Sequence, residues 1–493
     1  MENIAQLLVN AAAQSPTAPF GTFQQNEGLD VVLDRARAVS DSLQANGLGR
    51  GDILAVIGTN CASYIVTWMA AQLAGIQTAL INPGYPDEFL AIMLDDIAPQ
   101  AVVWISRAPG AVAQRPGCQL DASEAWEGQI ATLAAGKAHD GRGDGFSATR
   151  DEIAAYLHTS GTSGNPKFCA LSHGYFLRLG RFFADAMAFT RHDIVHNPLP
   201  LFHINPTGNG LVSALTSRAG FLSTERFSAA DFWPSVKHHG VTALILHAPP
   251  VSLLKAKTDP EEALGHKVRI GFACDPEFLT EYGIPLGIGG YGSTEAGGMS
   301  HTSTFRPGDT ELPEEGALHL AGRARSDLDW KLAEDGEIML REKAPHVLFS
   351  GYARHGAITP REDADGWFHT GDRGRLDQVG NLVFIERLSE AIRVNAEYVP
   401  IDFVEDRLRQ VGSLGDFALW RLDSPTRGHE PVLYSASEEV DLAAIRSVVA
   451  DLPRYMHPTK VIRIAGIPRD SGVGKIQRRL LSAQPVLSID VLS

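Results

Sequence analysis

TSGTSGNPK, residues 159–167, is the stretch on which the reading of this chain turns. Thr159, Ser160, Gly161, Thr162, Ser163 and Gly164 stand side by side, so backbone amides and hydroxyls can converge on phosphate oxygens with little side chain in the way. Lys167 adds a cation at the rim. The strand–loop–helix nucleotide motif needs Gly-Lys-Ser/Thr after four spacer residues, whereas Gly164 is followed by Asn165, Pro166 and Lys167. The kinase and GTPase reading is therefore weak. On composition alone a Gly/Ser/Thr cluster reads as a surface loop.

Three further stretches change that balance: YGSTE at 291–295, HTGDRG at 369–374 and PRDSGVGKIQRR at 468–479. In this order and at these separations the four resemble the AMP-forming adenylating superfamily of acyl-CoA synthetases, carrier-protein adenylation domains and luciferases. The resemblance covers nearly the whole chain and is closest to acyl- or aryl-CoA ligases.

It implies a site for joining a carboxylate to the α-phosphate of ATP with loss of pyrophosphate, which must neutralise charge on nucleophile, phosphates and leaving group. By the resemblance, residues 159–164 and Lys167 hold the phosphates, and Tyr291 and Gly292 lie at the adenine. Thr294 adds a hydroxyl near the α-phosphate and Glu295 is the Mg²⁺ ligand, for which a hard oxygen suits. Asp372 accepts from the ribose hydroxyls with its two oxygens, and Arg387 supports the same ribose. Lys475, in the turn Gly472-Val473-Gly474-Lys475, is the catalytic lysine delivered to the reacting carboxylate and phosphate. Outside this context Tyr291 would read as a core aromatic, Asp372 as a turn residue and Lys475 as a solvated lysine.

The segment PLFHIN, 200–205, bears on the acid. Amino-acid-activating relatives carry Asp where His203 stands, to pair with a substrate ammonium, and His203 offers no negative charge. A carboxylic acid without an α-ammonium group is the expected substrate. Asn205, Thr207 and Asn209 point to a small or polar acid, whereas Gly208 and Gly210 leave room for a chain as the alternative.

The fold expected is α/β: a large N-terminal domain of βα-layered sheets with a small β-rich subdomain, then a small mobile α+β C-terminal domain. Apolar spacing ending at Gly47 predicts a helix from 28, followed by strands at 53–57, 78–82 and 101–105 alternating with helices at 64–73 and from Asp87. Beyond the phosphate loop the pattern predicts helices at 173–189 and 229–239, and strands at 194–199, 241–246, 268–272 and 286–290. After Glu311 short alternating runs, notably 329–332 and 337–340, read as the β-rich part. A strand at 382–385 leads to the hinge, and the last hundred or so residues read as helices at 401–410 and 442–450 with strands at 417–422, 432–435 and 460–464. The domains are placed at 1–386 and 390–493 with a hinge at 387–389, and the Ala/Gly-rich region 107–149 is taken as peripheral.

Two positions depart from the family pattern. Ser389 stands where a hinge Asp or Lys is usual, and Ala396 where Gly is common on the face met by the incoming thiol. The adenylation half-reaction is thus better marked than the acceptor. Coenzyme A is the leading acceptor; loading of a carrier-protein phosphopantetheine, or amide formation, is the alternative. A non-catalytic nucleotide-binding relative is the reading from another class.

At 493 residues more than one domain is expected, and a net charge of −15 argues against a nucleic-acid partner. The N-terminus lacks a basic stretch before its apolar residues and no run reaches the roughly 20 residues of a membrane span, so a cytoplasmic protein is expected. Cys61, Cys118, Cys169 and Cys274 are too scattered for a CxxC zinc site and read as free, mostly buried thiols. The pair His238 and His239 faces different sides of its helix and reads as solvated rather than metal-binding.

Overall fold

The computed structural model describes residues 3–105, 118–121, 145–159, 167–309, 319–361, 363–387, 392–395, 397–469, 476 and 478–492. Residues 160–164 of the Gly/Ser/Thr stretch, Ser389, Ala396, the stretch 472–475 and most of the region 107–149 lie outside them. The chain divides into two compact units, one of residues 1–83, 91–158 and 168–386, the other of 84–90, 159–167 and 387–493.

Two sheets build the first unit. Both have a parallel centre, as βα repeats require, with antiparallel strands at one end of the smaller sheet and at both ends of the larger. In one, Ile53–Gly58 lies between Gln77–Ile81 and Ala101–Ile105, all parallel. In the other, Ile194–His196, Ala243–Ile245, Ile270–Phe272 and Gly287–Tyr291 run parallel side by side. The alternating strands after 319 do not stand apart from this sheet. They continue its hydrogen-bonded path antiparallel, through His301–Phe305 and Leu320–Ala324 to Leu382–Arg387, Phe368–Leu376, Glu337–Glu342 and Leu328–Leu332.

Helix periodicity in the sequence translates directly into burial. Leu29–Ala45 buries Leu29, Val32, Leu33, Ala36, Val39 and Leu43 and leaves the opposite side wet. Ala62–Ala74 is buried on every side, as its lack of a polar face demands, and ends at Gly75 with φ +71°. A helix at Ile4–Gln14, unassigned in the sequence reading, begins with a capping box: Asn3 Oδ1 accepts from Gln6 N at 3.0 Å, and Asn3 N donates to Gln6 Oε1 at 3.2 Å.

The second unit centres on a six-stranded sheet in which Gly428–Ser435 pairs with Phe417–Ser424, Ile392–Val394 and Lys460–Ile464. Helices Ile401–Leu408 and Leu442–Val448 accompany it. Arg478, from the basic end of the 468–479 stretch, is buried in a double contact with Glu405 at 2.9 and 3.1 Å. Arg469 and Ile476 pair as an isolated antiparallel bridge.

Burial revises the histidine-pair reading. His238 is exposed, but His239 is part-buried and stacks on Phe23, ring centroids 5.0 Å apart. Cys274 is fully buried, with its thiol raised far above the ordinary range by desolvation, and serves packing. Among the described residues no helix is long and apolar enough to cross a membrane.

Candidate active site

Strand Gly287–Tyr291 delivers Tyr291 and then turns sharply. A Cβ on Gly292 would lie 2.4 Å from the Gly298 carbonyl oxygen, so this close return needs glycine. Gly297 and Gly298 adopt φ +75° and +69°, and Gly298 N donates to Ser293 O at 2.8 Å. This turn carries Thr294 and Glu295 into the interior at 8% and 6% exposure. The Tyr175 hydroxyl, on helix His173–Ala186, donates to the Thr294 carbonyl at 2.8 Å. Burial raises the Tyr175 phenol well above its ordinary range and keeps it a donor. The Glu295 carboxylate faces the Tyr352 hydroxyl at 3.5 Å.

Tyr175→Phe leaves the buried Thr294 carbonyl without this donor, a loss of about 1–2 kcal/mol. We expect a lower unfolding midpoint together with a fall in adenylation rate, read by urea titration and pyrophosphate exchange; an unchanged rate would mean that Tyr175 does not position the turn.

Asp372 comes from strand Phe368–Leu376. Gly371, at φ +69°, donates its N–H to Glu337 Oε1 at 2.8 Å, and Thr370 Oγ1 donates to Ile338 O at 2.7 Å while accepting from Asp372 N at 3.1 Å. The preceding residues of HTGDRG therefore hold the aspartate's backbone. Its Oδ2 accepts from the Tyr291 hydroxyl at 2.7 Å, joining two sequence-predicted residues 81 positions apart. Phe384 stacks near-parallel with Tyr291, ring centroids 5.8 Å apart. An ionised carboxylate has about four lone-pair sites, more than the Tyr291 hydroxyl alone occupies.

The segment after Leu201 forms a π-helix at Asn205–Val212, a wide-wound form that recurs at functional sites. Its glycines do not open space, contrary to the alternative weighed above. A Cβ on Gly208 would meet Leu179 at 2.5 Å, and one on Gly210 would meet Phe221 at 2.8 Å. Thr207 is also committed, its hydroxyl donating to Leu201 O at 2.5 Å. Asn205 bonds Asn197 and His247. Asn209, one helical turn beyond Asn205, is 2% exposed with an Oδ1 that has no hydrogen-bond partner among the described residues. His203 is part-buried, its ring 4.6 Å from Phe202 and 6.2 Å from His158.

Thr159 ends strand Ile153–Thr159 and Lys167 begins the neighbouring strand Lys167–Ser172, so the Gly/Ser/Thr stretch lies between two strands in the chain rather than between a strand and a helix. Arg387 is the last residue of strand Leu382–Arg387. Lys475 lies outside the described residues. Glu295 suits a divalent cation by its chemistry, a buried hard-oxygen donor. Among the described residues no group of three His, Cys, Asp or Glu side chains could hold a metal ion, but Mg²⁺ carried by one carboxylate and substrate phosphates needs none.

Sequence reading missed Tyr175, Tyr352, Phe384 and Glu337. Their partners lie 119, 57, 93 and 34 positions away, and no local spacing marks such contacts.

Comparison with known proteins adds an independent line. Residues 12–352 match the family model described as AMP-binding enzyme. An oxalate–CoA ligase of Arabidopsis thaliana is 26% identical over 98% of this chain and 97% of its own length. A sulfoacetate–CoA ligase of Cupriavidus necator is 30% identical over 66% of each chain. Among solved structures, o-succinylbenzoate CoA synthetase of Bacillus subtilis, bound with a product analogue, superposes with a TM-score of 0.81 at 21% identity, covering 97% of this chain and 98% of its own. That likeness bears on the fold.

Proposed function

The chain belongs to the AMP-binding enzyme family, as an AMP-forming acid–CoA ligase, and from that premise we propose that it activates a small polar carboxylic acid through an acyl-adenylate and passes the acyl group to coenzyme A. The carboxylate oxygen attacks the α-phosphorus of ATP and pyrophosphate leaves. The thiol sulfur then attacks the acyl carbon, its proton is lost, and AMP leaves.

In this reading Tyr291 and Gly292 lie at the adenine, and Asp372 with Arg387 orients the ribose. Thr159, Lys167 and residues 160–164 hold the phosphates. Thr294 approaches the α-phosphate, and Glu295 would hold a magnesium ion. Bound there, Mg²⁺ would supply charge neutralisation on the phosphate oxygens. Lys475 offsets charge between the acid and the α-phosphate as they join. The observation that carries the site reading is the 2.7 Å contact between Tyr291 and Asp372, two motif residues drawn from separate strands to one place.

The acid class rests on the π-helix. Gly208 and Gly210 are filled by neighbours, which disfavours a long-chain pocket there, and His203 offers no anion to an ammonium group. The buried amide of Asn209 lacks a partner for its oxygen among the described residues, a deficit of about 1–3 kcal/mol that a polar substrate would relieve. The relatives named for oxalate and sulfoacetate act on small polar acids, in line with this class. The relatives described above are CoA enzymes by name, and no observation on this chain favours a carrier protein or an amine as acceptor.

The test is mass spectrometry of a reaction holding ATP, Mg²⁺, coenzyme A and a pool of aliphatic, aromatic, hydroxy and dicarboxylic acids. An accumulating acyl-CoA of a small polar acid supports the proposal; acyl-AMP alone moves the acceptor elsewhere, and a long-chain product overturns the acid class. Asn209→Leu is expected to lower kcat/KM for the preferred polar acid about tenfold, the value of one hydrogen bond, while sparing or raising it for an apolar acid of equal size. Equal changes for both acids would remove Asn209 from substrate recognition.

A further inference from the structure

The first unit carries a second concavity made from other elements. Helix Ile4–Gln14, helix His173–Ala186 and the end of helix Ser213–Ser217 enclose a groove of about 330 Å³. Arg150, Arg178, Arg181 and Arg218 line it together with Leu177 and Leu215, and among the described residues no Asp or Glu lines it. In a chain with 58 acidic and 43 basic residues, an acid-free arginine cluster runs against the overall charge.

Two of these arginines, Arg150 and Arg178, have interactions of their own, and the open positive charge rests with the other two. Arg178 is held in place, donating from Nε to Pro345 O at 2.5 Å and from Nη1 to Asp327 Oδ2 at 3.3 Å. Asp327 is already shared with Arg325, which bonds both its oxygens at 2.6 and 3.0 Å, so one carboxylate serves two guanidiniums. Asp151, beside Arg150, faces His346 at 3.4 Å. Asp185 lies one turn beyond Arg181, and among the described residues neither Arg181 nor Arg218 forms a side-chain hydrogen bond or ion pair.

Arg218 adds a second, independent sign. It closes its helix with φ +64°, a left-handed position where glycine is ordinary and a side chain costs about 1–2 kcal/mol. The strain is borne while a guanidinium is projected to the groove.

We propose that this groove is a binding site for a compact polyanion bearing two or more phosphate groups, separate from the site built on Tyr291, Glu295 and Asp372. Guanidinium groups recognise phosphate oxygens through paired N–H donors, and a volume of about 330 Å³ falls at the lower end of small-ligand sites. The ligand is a free organic or inorganic polyphosphate or the phosphorylated headgroup of a lipid, which share this chemistry.

The experiment uses the full chain and inorganic tripolyphosphate as probe, followed by titration calorimetry at low salt. The wild type is compared with the double variant Arg181→Glu and Arg218→Glu; since the adenylating site is intact in both, it cancels in the comparison. We expect the variant to lose one class of sites or to weaken it at least about tenfold, with affinity falling as salt rises and KM for ATP unchanged. Identical stoichiometry and affinity in the two proteins would overturn the proposal. If charge reversal impairs folding, the milder pair Arg181→Gln and Arg218→Gln gives the same reading. Anionic vesicles containing a phosphoinositide form the second arm. Retention of the wild type on vesicles but not of the variant, with weak tripolyphosphate binding, assigns the lipid headgroup as the source, and the reverse assigns the soluble anion.

Discussion

Asp372→Ala is expected to reduce kcat/KM for ATP by about 100-fold or more. In the proposed site this carboxylate accepts from two ribose hydroxyls, and charge-assisted hydrogen bonds contribute about 1.5–3 kcal/mol each, so losing the pair removes about 3 kcal/mol or more from the transition state. The structure adds a second consequence. The Tyr291 hydroxyl, which donates to Asp372 Oδ2 at 2.7 Å, loses its acceptor in the same variant. Tyr291→Phe separates the two effects, removing only the donor and leaving the carboxylate; its expected loss is about fivefold to tenfold. Steady-state kinetics over ATP concentration, read as pyrophosphate release, provides the check. If Asp372→Ala and Tyr291→Phe lost activity equally, the aspartate would matter only as the anchor of Tyr291 and the ribose role would fall.

Stability should drop steeply as pH falls from 7 to 5. His173, His196 and His301 are buried at 3%, 0% and 0% exposure, and desolvation lowers them to about 4, about 3 and about 3. At His196 a hydrogen bond with Leu222 O opposes the shift without cancelling it. At His173 the nearby Glu152 likewise opposes it while Arg50 reinforces it. Each folded value lies below the unfolded value of 6.5, so the unfolded chain takes up protons that the folded chain refuses. Their stabilising contribution is therefore full above about pH 6.5 and is lost as pH falls from there toward 4 and then 3. These three groups alone give a slope approaching about 4 kcal/mol per pH unit and a loss between pH 7 and 5 on the order of 5 kcal/mol, to which His429, lowered to about 3 by desolvation, adds. That is comparable with the whole stability of many domains. Urea midpoints measured at pH 7, 6 and 5 test this directly. Replacing His196 or His301 by Asn should flatten the slope by about 1.4 kcal/mol per pH unit each, whereas a flat profile in the wild type would show that these imidazoles reach water more readily than their burial implies.

The elements were largely legible because local patterns govern them. The apolar stripe of 29–45 and the run of 101–105 each bury what their periodicity says they bury. Strands Ala101–Ile105 and Lys460–Ile464 keep the bounds expected of them, while other elements shift mainly at their ends, where capping and fraying compete. The N-terminal helix is marked by its Asn3–Gln6 capping box, a local signal that the apolar composition of residues 2–14 does not by itself give.

What the sequence by itself determined is the set of chemical parts: the Gly/Ser/Thr loop, Tyr291, Thr294 and Glu295 in one run, and Thr370, Gly371 and Asp372 in another. Their identity follows from spacing within a few residues, which chain order preserves. Only the tertiary structure decided that Tyr291 bonds Asp372, that Tyr175 holds Thr294, and that Asn209 is buried with an unsatisfied oxygen while Gly208 and Gly210 are filled. It alone also gathered Arg150, Arg178, Arg181 and Arg218 from three separate stretches into one groove. The reason is physical: these contacts depend on how sheets and helices pack across long loops, and packing is set by the shape of the whole core, which no short window of sequence contains.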